Sequence, residues 1–149
     1  MKSIFLPIGT ALALFFLDLV SKDVAQQVLQ NNTKEIFPGL LAFSYHQNAG
    51  IALSLPVPLS FQIILTLVLL IGLLWYAKDK TKTREERIAI ASIVGGALGN
   101  FWERILFGSV TDFIAVWKFP IFNVADIAIS LGVLALLFLE FSRKRRLSV

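Results

Sequence analysis

From Leu59 to Ala77 the chain runs without a charged side chain. A helix of that length, rising about 1.5 Å per residue, crosses a hydrocarbon core of roughly 30 Å. Trp75 and Tyr76 close the run, where amphipathic rings mark a membrane boundary. Segments 4–24, 88–108 and 124–141 are of similar length, and apolar residues make up 56% of the 149. A chain this apolar needs a bilayer as solvent. These features predict an α-helical integral membrane protein with four transmembrane helices, folded as one domain over residues 1–149.

The first span begins after Lys2 like a signal peptide, but no small-x-small cleavage site follows and the helix pattern continues through Asp18 and Lys22. Those two lie one turn apart, so an interfacial ion pair with a snorkelling lysine is one reading and a functional pair is the other. Between Asn31 and Pro58, Pro38, Gly39, Gly50, Pro56 and Pro58 break any span. Phe43 to Gln47 alternates like a half-buried strand, and Asn48 to Gly50 signals a turn. A small hairpin on the membrane surface is expected, with His46 as a surface strand residue. Lys78 to Arg87 reads as a solvated loop that sets topology.

In the third span Ser92, Gly96, Asn100 and Arg104 recur every four residues and share a stripe. Gly95, Gly96 and Gly99 permit close helix approach. An amide and a guanidinium at such depth face a bundle interior or a cavity. Asn123 is a candidate N-cap for the fourth span, with Asp126 at N3, where a carboxylate meets the positive helix end.

Placing both termini inside puts ten of the fourteen lysines and arginines on the inner side: Lys2, five within 78–87 and four within 143–146. Lys22, Lys34, Arg104 and Lys118 fall outside, so the termini are expected in the cytoplasm. Asp18, Lys22, Asn48, Asn100, Arg104, Asp112, Asn123 and Asp126 then converge on the outer face. The net charge of +4 sits in short clusters between spans, which argues against a nucleic-acid partner.

With no cysteine and a single histidine, the chain offers no thiolate chemistry and no evident metal site, and no cofactor is expected. Carboxylates remain. Asp112 and Asp126 flank a segment that Pro120 could fold back. Two carboxylates held close do not both ionise, so one acts as base while its partner donates a proton. The alternatives at this point are caps and interfacial charges, a proton-linked carrier using the same acids, or an assembly scaffold.

Five motifs occur in order: DLVSK (Asp18 to Lys22), QNAGIAL (Gln47 to Leu53), GGALGNFWER (Gly95 to Arg104), SVTDFI (Ser109 to Ile114) and FNVAD (Phe122 to Asp126). Together they resemble the lipoprotein signal peptidases (signal peptidase II) of bacteria over nearly the whole chain. The resemblance implies an aspartyl protease of the bacterial inner membrane, with a small β-element on the periplasmic side and the active site facing that side. It implies cleavage of diacylated prolipoproteins N-terminal to the lipid-bearing cysteine, beside membrane lipids, with the cyclic peptide globomycin as inhibitor. The catalytic positions match Asp112 and Asp126. The surrounding polar positions match Asp18, Lys22, Asn48, Gly50, Asn100, Arg104 and Asn123. One dyad per chain makes a monomer sufficient. Three positions depart from the family pattern. Glu103 stands where Asp is usual, and its longer side chain could displace a carboxylate that orients Arg104. Thr111 replaces an apolar residue, and its hydroxyl could bond Asp112. Leu53 replaces an aromatic.

Overall fold

A computed structural model describes residues 5–51, 55–80 and 83–147. The elements in chain order are helix α1 (Phe5–Leu29), strands β1 (Lys34–Phe37) and β2 (Leu41–Asn48), helices α2 (Leu59–Lys80) and α3 (Arg84–Phe107), strand β3 (Val110–Val116) and helix α4 (Val124–Leu147). Leu53 lies outside the described residues.

Three helices, Phe5–Leu29, Leu59–Lys78 and Val124–Arg143, are long and apolar enough to cross a membrane. Their outward faces are apolar: Val20, Val24, Val28, Ile64, Val68, Ile71, Leu134 and Phe138 are all exposed. The interior is the reverse. Asp18, Lys22, Thr111 and Asn123 are, with Val110, the most deeply buried large side chains. In water this distribution would be inverted. It suits a bilayer, where lipid tails are as apolar as leucine and polar groups turn inward.

α3 does not share the apolar character of the other three, and its position explains why. It packs extensively on α4 and α1 and also carries α2. Its buried face holds Glu86, Asn100 and Glu103 among alanines and glycines. Its outward side is still apolar, with Trp102, Ile105, Leu106 and Phe107 exposed, while its polar residues turn inward. Close approach comes from glycine: a Cβ on Gly95 would lie 2.5 Å from the Ala11 carbonyl, and one on Gly96 2.5 Å from the Ala125 carbonyl. The expected role of these glycines is thus borne out.

The helices outrun the expected spans. α1 continues to Leu29 because Ala25 and Leu29 pack on Phe113 of the sheet, with Phe43, Tyr45 and Val124 around them. The loop expected over Lys78 to Arg87 shrinks at both ends. α2 carries on through Lys80, and Thr83 starts α3 with a capping box, in which its side chain accepts from Glu86 N while Glu86 accepts from Thr83 N.

The sheet corrects the expected hairpin. Its strand order is β1-β2-β3, antiparallel throughout. The hairpin turn lies between β1 and β2, where Gly39 takes a left-handed φ of 70°, and not at Asn48 to Gly50. The partner β2 gains on its other edge is β3, which follows α3 directly. His46 stays exposed on β2, as expected, opposite Asp112 in the register.

After β3 the chain turns at Val116 to Phe119 and doubles back. Phe113 and Ile114 both donate to the Phe122 carbonyl, and Phe122 donates to Ile114. This return brings the start of α4 beside β3.

Replacing Gly96 by alanine is expected to force α3 from α4 and cost about 1–3 kcal/mol. Gly72→Ala, which meets nothing within 4 Å, is expected to be neutral or to stabilise by up to about 1 kcal/mol. Thermal unfolding in detergent distinguishes the two.

Candidate active site

The return loop sets Asn123 as the cap of α4. Its Oδ1 accepts from Asp126 N at 2.9 Å, and Asp126 Oδ2 accepts from Asn123 N at 3.2 Å. This is the cap expected from the sequence. The same Asn123 reaches across to β3, where its Nδ2 donates to Asp112 Oδ1 at 2.7 Å and to the Thr111 carbonyl at 3.3 Å. One buried residue therefore donates to both carboxylates, to Asp126 from its backbone N–H and to Asp112 from its side-chain amide.

Each carboxylate takes a second amide. Asn48 Nδ2 donates to Asp112 Oδ2 at 2.9 Å, while its own Oδ1 accepts from Gly50 N at 2.9 Å. Asn100 Nδ2 donates to Asp126 Oδ1 at 2.9 Å. The Asn100 oxygen accepts from Asn123 at 3.1 Å and from Lys22 Nζ at 2.8 Å. With two cationic or amide donors aimed at its oxygen, Asn100 has its Nδ2 turned to Asp126. Among the described residues no cation hydrogen-bonds either aspartate, and both are held by neutral amide donors.

Behind this layer lies the ion cluster. Lys22 Nζ is 2.6 Å from Asp18 Oδ2 and 3.2 Å from Glu103 Oε2, with Lys22 2% exposed and Asp18 fully buried. The pair is internal, so the snorkelling reading is overturned. Asp18 Oδ1 also accepts from Ala125 N at 2.8 Å, at the first turn of α4. A Cβ on Gly99 would collide with the Asp18 carboxylate, so glycine there gives the acid its place.

Glu103 does not reach Arg104. It accepts from Thr111 N at 2.8 Å and from Thr111 Oγ1 at 2.9 Å. The Thr111 hydroxyl is accordingly turned from Asp112. Two of the three departures expected from the resemblance thus meet each other, and together they pin β3 one residue before Asp112.

Arg104 instead joins α3 to the loop after β2. Its Nε donates to Gln62 Oε1 at 2.7 Å and an Nη to the Gly50 carbonyl at 3.2 Å. Gln62 in turn donates to the Ala49 and Val57 carbonyls. Sequence reasoning passed over Gln62. The signal was there, since a buried amide in a span otherwise so apolar has to find partners.

A cleft of about 260 Å³ collects Asn48, Asn100, Arg104, Asp112 and Asp126 on its polar side. Phe119 to Phe122 and Ile129 form an apolar wall opposite. Burial pushes the Asp112 carboxyl up to about 6 from 3.8. The Asn48 bond pulls it down, the Asp126 charge pushes it up, and Asn123 and Lys22 pull it down again. An amide-bound carboxyl titrating near neutrality, in a cleft with a second carboxyl, can exchange a proton with a bound reactant.

The family model described as signal peptidase (SPase) II matches residues 10–142. The lipoprotein signal peptidase of Listeria monocytogenes serotype 4a is 37% identical over 142 residues, covering 91% of this chain and 92% of that protein. The lipoprotein signal peptidase of Staphylococcus aureus is 33% identical over 141 residues, covering 87% and 86%. A solved structure described as a bacterial membrane enzyme, determined by the in meso method at 2.3 Å, superposes with a TM-score of 0.88 at 30% identity. It covers 95% of this chain and 90% of that one. A second, at 1.9 Å, gives 0.82 and 32%, covering 91% and 92%.

Glu103→Gln leaves Lys22 paired with Asp18 alone and weakens the hold on Thr111, and is expected to cost about 1–3 kcal/mol. Thr111→Val is expected to cost about 1 kcal/mol. Because the two share a hydrogen bond, the double variant should lose less than the sum. Denaturant unfolding in mixed micelles reads the cycle.

Proposed function

The chain belongs to the signal peptidase II family, and on that premise we propose that it is an aspartyl endopeptidase with Asp112 and Asp126 as its catalytic pair. Its reaction is removal of signal peptides from bacterial prolipoproteins, cutting N-terminal to the diacylglyceryl-modified cysteine. The observation that carries this reading is Asn123, whose amide groups bond both aspartates and hold them at one cleft.

The mechanism follows from two coupled carboxyls. The ionised one takes a proton from water, and the water oxygen attacks the scissile carbonyl. The protonated one donates to the carbonyl oxygen. The proton gained from water then passes to the departing nitrogen while the other carboxylate takes a proton back from a hydroxyl of the tetrahedral intermediate; the C–N bond breaks, the carbonyl re-forms, and the pair returns to one shared proton. The proton belongs to the pair, so neither aspartate is singled out as acid or base. Asn48, Asn100 and Asn123 fix both carboxyls before substrate arrives, which is the preorganisation such a reaction needs. Gly50, held by Arg104, shapes the cleft rim, and Arg104 keeps further guanidinium donors for a peptide carbonyl. Asp18 and Lys22 support the pair from behind. The apolar wall suits a signal peptide, and the diacylglyceryl chains would lie in the bilayer.

α3 serves as a fourth span, since its 24 residues reach about 36 Å and its polar face is covered by neighbours. The excess of lysine and arginine in the α2–α3 connection and after Arg143 puts the termini in the cytoplasm and the cleft on the outer face of the inner membrane. The enzyme acts as a monomer, and globomycin would occupy the same cleft.

Purified protein in detergent, given a diacylated prolipoprotein, tests the reading. Asp112→Asn and Asp126→Asn are each expected to lower kcat by about 10²–10⁴ with the fold intact. Near wild-type turnover in either variant would sink the dyad.

The pH profile supplies a second test. A limb near pH 6 is expected from Asp112. Asn48→Leu removes a donor that favours the ionised form, so that limb should move to higher pH. A limb that stays put, or moves down, contradicts the assignment.

A further inference from the structure

The end of the bundle remote from the aspartates carries a groove of about 360 Å³ between the start of α1, the end of α2 and the start of α3. Ile8, Leu74 and Val94 give it an apolar floor, and Lys78 and Arg87 stand in its lining. Arg87 Nε is buried there without a hydrogen-bond partner among the described residues. A buried guanidinium donor left unpaired is costly, and its natural partner is an anion that reaches it from the groove.

The acids on the same helical turn do not serve. Glu86 bonds the Thr83 cap and pairs with Arg143 at 3.3 Å, and Glu85 is exposed. Lys78 is the last residue of the apolar window of α2, so the two cations lie where the hydrocarbon level ends. Below them the groove continues along lipid-facing helices. An anion with an apolar tail meets both halves, whereas a free ion meets only the cations.

We propose that this groove binds an anionic phospholipid, its phosphate held by Arg87 and Lys78 and one acyl chain lying between α1, α2 and α3. The site is distinct from the cleft at Asp112 and Asp126 and independent of the peptidase chemistry. It requires only that the chain sit in a bilayer. The lysine- and arginine-rich connection between α2 and α3 then does more than orient the chain, since part of it is a headgroup seat.

Native mass spectrometry of the lipid-stripped protein in neutral detergent tests this, with dimyristoyl phosphatidylglycerol and dimyristoyl phosphatidylcholine in competition. Wild type should retain the anionic lipid preferentially. Arg87→Met and Lys78→Met should each cut that preference about fivefold, the worth of one basic side chain at a membrane surface. Arg87→Met removes an unpaired donor, so its lipid-free thermal midpoint should not fall. Lys78→Met, on an exposed residue, repeats the test where folding is not at stake. Equal retention of the two lipids overturns the proposal, as does an unchanged preference in both variants. Displacement of phosphatidylglycerol by equimolar inorganic phosphate overturns the acyl-chain half.

Discussion

Lys22 ends at a point where three acceptors converge: Asp18 Oδ2, Glu103 Oε2 and Asn100 Oδ1. An ammonium buried in a membrane protein is tolerable only when its hydrogens and its charge are both matched. Here they are. The match ties α1 to α3 directly and to α4 through Asp18 and Ala125 N. The helices around it have little other reason to cohere, since apolar faces gain nothing against each other that lipid would not supply. Packing through glycine and this polar knot hold the bundle.

The knot also reaches the cleft. Lys22 and Asn123 aim at the Asn100 oxygen, and so the Asn100 amide faces Asp126. Glu103 holds Thr111, and so Asp112 leaves β3 at a set point. Asn123 closes the circuit by bonding both aspartates. Orientation passes along hydrogen bonds from a buried charge to two carboxyls that carry no cation of their own. That separation matters. A lysine bonded directly to a carboxyl favours its ionised form, whereas Lys22, reached only through amides, positions the carboxyls without such a bond.

Glu103 and Thr111, each expected from the resemblance to stand apart, form a single contact. The longer acid and the added hydroxyl differ from the usual residues separately, and in the fold they bond each other. Reading each alone suggested an effect on Arg104 or on Asp112. Their contact makes them one feature of β3.

Composition and spacing were enough for three apolar spans, the inward-facing polar stripe of α3, the cap at Asn123 and the fold-back before it, because each depends on neighbours within a few residues or on counting. The ordered motifs pointed to the family and to the residues of the polar cluster other than Gln62. What the chain order concealed was partnership across distance. β3 does not show in the local pattern because its pairing is settled by the edge of β2, far away in sequence. The true hairpin turn at Gly39 lost to a stronger local signal at Asn48 to Gly50, whose residues instead bend the loop that Arg104 and Gln62 hold. The burial of Lys22 could not be read from its place one turn after Asp18, because a lysine near a helix end can reach water or turn inward. Which it does depends on whether acceptors wait inside, and those come from α3. Local chemistry follows from local sequence; the geometry that brings Asp112 and Asp126 to one cleft follows from segments that meet only when the bundle closes.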